Sequence, residues 1–330
     1  MHISDKEYKK FFEGYQIIDC VVRNKDMFYF VLKEMYDTDK DAPPETKLIK
    51  RIVPYFMDEP VGDRWSRSVL EHFDHLVGGL SIYPKEQFVG VDMGGSVYAA
   101  GSGEGGIEDS FVSWADEGPQ RGAIIKLRTI DGHVYAAGGN RTVLRRDGKN
   151  DWHGFTSDLP TADEDDEDAD SFGEGFQDID GFSAKDIYCV GGDGDVWHFN
   201  GKKWKRLAFP SNMSLESVCC AGDGYVYIGA QEGNVFKGKG DSWKRIYKGD
   251  LTLPFKDMVW HQGKVWCTSD YGLWEIESDK LKKSKAPNEV RACAGNLSVG
   301  DGVMLLAGIF GAALHDGKDW QILVDAQAFA

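Results

Sequence analysis

No stretch of the sequence approaches the roughly 18 consecutive apolar residues that a membrane-spanning helix requires, and none is predicted. The opening residues, MHISDKEYKK, are polar and charged, without the apolar core of a secretory signal, so a cytoplasmic location is expected. Positive charge is scarce. Against 54 Asp and Glu there are 38 Lys and Arg, a net charge of −16. That balance disfavours nucleic acid, whose phosphates need cations, and it disfavours anionic membrane surfaces. It favours basic protein partners met quickly at low salt.

Catalytic signatures are also missing. There is no GxSxG, no zinc signature and no GxxxxGK[ST], and the glycines of Gly101–Gly122 lie in a strand–turn–strand context rather than a phosphate loop. His133, His153, His198, His261 and His315 are scattered, with no Ser or Cys that sequence can pair with them. The six cysteines have no metal-like spacing; Cys189, Cys219, Cys220, Cys267 and Cys293 are expected to be small buried thiols. Neighbours Cys219 and Cys220 would point to opposite faces of a strand and so not pair. No cofactor is expected.

What the chain does have is a repeat. The segment Ile187–Arg206, IYCVGGDGDVWHFNGKKWKR, reads as an apolar strand, a Gly/Asp turn, an alternating strand, an Asn-Gly turn and a Trp opening another strand. The same unit returns with Tyr98, Tyr135, Tyr188, Tyr227, Trp266 and Met304 in the marker position, at intervals of 37, 53, 39, 39 and 38 residues. Trp114, Trp152, Trp204, Trp243 and Trp320 follow their markers by 16 or 17 residues, and Lys282 stands in the place of the missing Trp. Apolar runs (Phe88–Val91, Ile124–Leu127, Leu215–Cys220, Met258–Trp260) precede the markers. Four short strands in about 40 residues is one propeller blade, and blades must pack in a ring to bury both faces. Gly192, Gly194, Gly233 and Gly272 are assigned to turns with positive φ.

The predicted fold is therefore an all-β, single-domain β-propeller over 1–330, with seven four-stranded blades and six as the alternative. Blade 1 occupies about 15–68, with YQIIDCVV, MFYFVLKE and KLIKRIVPYF as its strands, Trp65 opening the fourth, and an insertion including Asp37–Thr46. The regular repeats run over about 80–325. Between them, 66–78 (SRSVLEHFDHLVG) is expected to be a helical insertion, since Val69, Leu70, Phe73, Leu76 and Val77 share a helical face. On it, His72 and His75 beside Glu71 and Asp74 could approach a metal, though a solvated polar side is the plainer reading.

The 53-residue interval carries about 15 extra residues, an acidic loop over 161–175. Asp163, Glu164, Asp165, Asp166, Glu167, Asp168 and Asp170 make seven acidic residues in eight. They lack the spacing of a Ca²⁺ loop, so they are the candidate partner-binding residues, with a solubilising loop as the alternative. Lys205–Arg206 and Lys244–Arg245, after equivalent Trp residues, are edge-protecting charges. The pairs Asp147–Gly148, Asn200–Gly201 and Asp316–Gly317 are hairpin turns.

The segments DGKDW, NGKKW and GKGDSW after VY-x-x-G resemble the bacterial β-propellers with Asp-box, YVTN or BNR-like repeats, over about 80–325. That resemblance implies the fold. The S-x-D-x-G-x-T-W of Asp-box sialidases lacks its Ser and Thr here and no Arg triad can be assigned, so it does not imply glycosidase activity. More narrowly, DIYCVGGDGDVWHFNGKKW and CCAGDGYVYIGAQEG are similar to bacterial propellers of toxin–immunity loci of secretion systems. This implies a cytoplasmic, non-enzymatic protein that binds and blocks a toxin; no contact residue carries over. Together with the charge, it gives the expected function: an immunity protein that occludes a basic toxin, such as a nuclease. The alternatives are a glycan or phosphoester hydrolase at the mouth of the central channel, and a passive scaffold.

Overall fold

The structure, a computed structural model, describes residues 3–111, 118–161, 175–250 and 252–329. Its strands form seven four-stranded antiparallel sheets, each built from consecutive strands in chain order. The blades span 15–70, 76–108, 124–154, 178–206, 215–247, 257–283 and 296–325. In each, the first strand lies innermost, beside the first strands of its neighbours.

The alternation of the strands explains the ring. In blade 4, Ile187 and Cys189 pack towards blade 3 while Tyr188 and Val190 pack towards blade 5. Period-two alternation puts a large side chain on each face of every blade, and no blade can bury both faces alone. Seven apolar cores result among the described residues, one between each pair of neighbouring blades. Tyr29, Tyr135 and Tyr188 are almost wholly buried in them.

The aromatic markers sit on the second strand of their blades: Tyr135, Tyr188, Tyr227 and Trp266, with Met304 in the same place. Trp152, Trp204, Trp243 and Trp320 lie on fourth strands, as does Lys282. Trp114 lies outside the described residues.

Blade 2 corrects two expectations at once. Residues 66–78 do not form a helix: they hold the last strand of blade 1, Ser68–Leu70, a link in which His72 adopts φ 66°, and the start of the first strand of blade 2, Leu76–Ser81. A left-handed residue in the middle stops any helix there. Missing this inner strand shifts the phase by one, because Phe88–Val91 is the second strand of blade 2 and Tyr98 lies on its third, Val97–Gly101. The strand is disguised by Gly78 and Gly79. A Cβ at Gly78 would stand 2.9 Å from both Phe88 and Val21, so the crowded ring interior excludes the side chains that would have shown the strand pattern.

Blade 1 is complete within 15–70, and the chain ends do not share a blade. Its fourth strand starts at Ser68, with Trp65 held in a bridge to Tyr55 just before it. The ring closes side by side. Val22 N–H donates to Ser298 Oγ at 2.9 Å and Lys25 N–H to the Asp301 carboxylate at 3.1 Å. A helix, Asp5–Phe11, opened by a Ser4–Glu7 capping box, covers the seam. Phe11 and Phe12 pack on Trp65 and join a core with Val303, Leu305 and Leu323 of blade 7, while Tyr8 stacks on Phe329 at 4.2 Å.

Candidate protein-binding face

Antiparallel strands of equal polarity in every blade sort the connections onto two faces. First-to-second and third-to-fourth turns fall on one, here the hairpin face. Second-to-third turns and all blade-to-blade connections fall on the other, the link face. Apart from the 57–67 connection of blade 1, hairpin-face turns are short, and Asn200–Gly201 and Asp316–Gly317 take the expected geometry, with Gly201 at φ 85° and Gly317 at φ 99°. Asp147–Gly148 instead ends the strand Thr142–Gly148, and Asn150, at φ 58°, makes the turn. Gly192, Gly194 and Gly233 also have positive φ, on the link face; Gly272 does not.

The link face holds the irregular parts of the chain: the connection between Glu34 and Lys50, those leading into blades 3 and 4, and a short helix, Asn288–Ala292, before blade 7. The chain leaves the described structure after Thr161 and returns at Gly175 within the connection from blade 3 to blade 4. The candidate residues Asp163, Glu164, Asp165, Asp166, Glu167, Asp168 and Asp170 lie outside the described residues. So do Asp116 and Glu117, in the connection from blade 2 to blade 3.

The central channel has a cavity of about 340 Å³ at the link face, lined by Asp19, His75, Lys126, Glu216, Lys256 and Asp270 among others. A second, of about 690 Å³, opens on the hairpin face. Between them lies a charged cluster from three different blades. Arg128 of blade 3 donates to both carboxylate oxygens of Asp178 at 3.0 Å, and to Asp257 of blade 6 at 3.1 Å. Lys126 lies 3.2 Å from Asp257. Burial opposes the charge on all three groups, yet their mutual attraction wins: Lys126 and Arg128 are shifted up and Asp257 down.

These carboxylates are clamps between blades. Asp19, Asp178, Asp180 and Asp257 each accept from the N–H of the following residue, and with the other oxygen from an inner strand of the next blade: Gly78, Val218, Cys220 and Leu297, at 2.7 to 3.1 Å. Burial pushes Asp180 up to about 6 and also raises Asp19. Sequence reasoning passed over them, although an Asp inside an apolar inner strand (IIDC, FKDMVW) was the available signal.

The other singled-out residues serve the ring. His72 is exposed in its link and His75 lines the channel mouth; among the described residues no group of three His, Cys, Asp or Glu could hold a metal ion. Lys205 and Lys244, exposed on fourth strands, pair with Asp241 and Asp279 on the next blade. His261 and His315 meet between blades 6 and 7, Nε2 to Nδ1, at 2.9 Å. Since Gly317 N–H also donates to His315 Nδ1, that nitrogen is the acceptor and His261 Nε2 carries the proton. Burial, then His315, lowers the His261 pKa to about 4. All six cysteines are free; Cys219 packs towards blade 6 and Cys220 towards blade 4, on opposite faces of their strand. Cys293 ends the short helix rather than lying in a strand.

A ring whose inner aspartates clamp neighbouring blades, and whose irregular connections collect on one broad face, defines a seven-bladed β-propeller. Solved propellers superpose on it over most of its length: the WD40 domain of Doa1 (TM-score 0.58, 11% identity, 90% of this chain and 95% of that one) and the WD40 repeats of RRP9 (0.56, 13%, 94% and 92%). PorZ, a surface component of the type-IX secretion system of Porphyromonas gingivalis, gives 0.59 at 9% identity, over 94% of this chain and 38% of its own. At such identities the likeness is one of fold. No family model matches the chain. The immune protein Tsi7 of Pseudomonas aeruginosa is 32% identical over 239 residues, 72% of this chain and 76% of its own, and the chain belongs to the Tsi7 family.

Proposed function

We propose that this protein is a non-catalytic immunity protein of the bacterial cytoplasm that binds a basic toxin and occludes its active site. Kinship with an immune protein carries the reading. The charge supports its finer part. Asp116, Glu117 and the acidic run Asp163–Asp170 all belong to blade-to-blade connections, and a net charge of −16 steers a cationic partner. Exposed charges add rate and specificity more than affinity, so contact area must supply the rest. A channel-mouth hydrolase would need carboxylates from several blades. The inner-strand aspartates Asp19, Asp178, Asp180 and Asp257 have both oxygens engaged by backbone N–H groups, and at the mouth Asp270 is paired with Lys256.

The test is co-expression with the product of the neighbouring gene. Growth arrest by that product alone, relieved by this chain through a stoichiometric complex, is the expected result; a chain that gives no protection and forms no complex overturns the reading. Deleting 163–170 should slow association and flatten its dependence on salt. An unchanged rate would remove the acidic run from the interface.

A further inference from the structure

Every blade places a second-to-third-strand turn at an equivalent point on the link face, so the blades serve as controls for one another. In blades 4 and 5 the exposed tips are Asp193 and Glu232, polar as exposed tips should be, and in blade 3 the turn points inward, with Arg141 buried against Asp195. In blades 6 and 7 the same position holds Tyr271, 79% exposed, and the exposed pair Ile309–Phe310. Blade 1, next round the ring, opens its connection with exposed Met35 and Tyr36, and Leu253 is exposed in the link from blade 5 to blade 6. No fold requirement calls for these side chains, since polar residues serve the same turns elsewhere in the chain. The Tyr271 ring has no ring or cation partner among the described residues. On the hairpin face, by contrast, Tyr225 lies under Lys237 at 4.4 Å and Tyr83 packs beside His133 at 5.8 Å.

We propose that the partner docks on the link face over blades 5, 6, 7 and 1, with Tyr271, Phe310, Ile309 and Tyr36 as its apolar anchors. The proposal rests on the immunity reading and gives the partner's surface a chemistry: a toxin domain with an apolar centre and a Lys/Arg rim. The rim follows from charge. Exposed Asp39 and Asp41 follow Tyr36, Asp270 adjoins Tyr271, and Asp250 stands beside the link of Leu253. An exposed apolar patch with a charged border is the anatomy of a protein interface, in which a few aromatic anchors hold the complex and the border sets the encounter rate.

The experiment measures binding of the neighbouring gene's product, and protection against it, for wild type, Tyr271→Ala/Phe310→Ala, and the hairpin-face control Tyr83→Ala/Tyr225→Ala. The expected result is a loss of at least tenfold in affinity for the first variant, through faster dissociation at an unchanged salt dependence, with the control like wild type. The altered side chains are exposed, and unchanged melting temperatures would confirm intact rings. If wild type protects but the Tyr271/Phe310 variant binds as tightly as wild type, the docking face is wrong and the immunity reading stands. If wild type itself neither binds nor protects, both fall together.

Discussion

Arg128 is the side chain that the most distant parts of the ring share, since it bonds to carboxylates of blades 4 and 6 from blade 3. Removing one partner from a buried ion cluster leaves the others uncompensated, which costs about 3–5 kcal/mol. Arg128→Met should therefore destabilise the fold by about that amount in urea titration, and Arg128→Lys, which keeps the charge but loses the Nε bond to the Ile179 carbonyl, should recover only part of it. The histidine pair gives a second prediction. His261 has its pKa lowered from 6.5 to about 4 in the folded state, so the unfolded chain takes up the proton first as pH falls. Its stabilisation is complete above about pH 6.5 and is lost as pH drops towards 4, by about 2 kcal/mol. Asp180, shifted up to about 6, has the opposite sign: its neutral form favours the fold, and that benefit fades as pH rises through 6. Comparing wild type with His261→Gln isolates the histidine. The loss of melting temperature between pH 7 and pH 4.5 should be smaller in the variant.

Among the elements, the second strand shows what the repeat motif means. The glycine of VY-x-x-G needs no special backbone conformation at Gly138, whose φ is 176°. It is there because a Cβ at Gly138, Gly191 or Gly308 would fall within about 2 Å of the carbonyl oxygen of Ala123, Gly175 or Ala294 in the link entering the same blade. Gly191→Ala should cost about 3 kcal/mol through this overpacking. Gly263→Ala, at φ 78° with nothing within 4 Å, should cost nearer 1 kcal/mol, from backbone strain alone. Thermal melts of the two variants separate these causes. The strands that were legible in sequence are those whose apolar residues alternate without glycine, and these fixed the markers of blades 3 to 7. The inner strand LVGGLS was not legible, because close packing at the ring centre had replaced its pattern with Gly78 and Gly79. The clamping aspartates were missed because their role depends on the neighbouring blade, which no local pattern contains. The apolar tips Tyr271 and Ile309–Phe310 were visible as residues, but their shared face emerges only from the ring. The seam helix makes one more prediction: deleting 3–13 uncovers the Phe11–Phe12 site against blade 7 and should lower the melting temperature by roughly 10 °C.

At the scale of the whole molecule, the uneven distribution of charge should govern kinetics rather than fold. Asp116, Glu117 and Asp163–Asp170 fall in sequence between blades, and the hairpin-face turns have no comparable acidic run. Association with a cationic partner should slow at least tenfold between about 50 and 500 mM salt, as stopped-flow mixing would show, while dissociation changes little. The closure of the ring has a further consequence. Because each blade is one unbroken stretch of chain, a gene for this protein is a row of cassettes separated by links. Away from the residues that pack on the second strand, such as Ala123, Gly175 and Ala294, a link can lengthen, shorten or change composition without disturbing the strand ladders. A lineage pressed to follow a changing adversary could then revise its recognition surface by editing spacers alone, and keep an inherited scaffold intact beneath it.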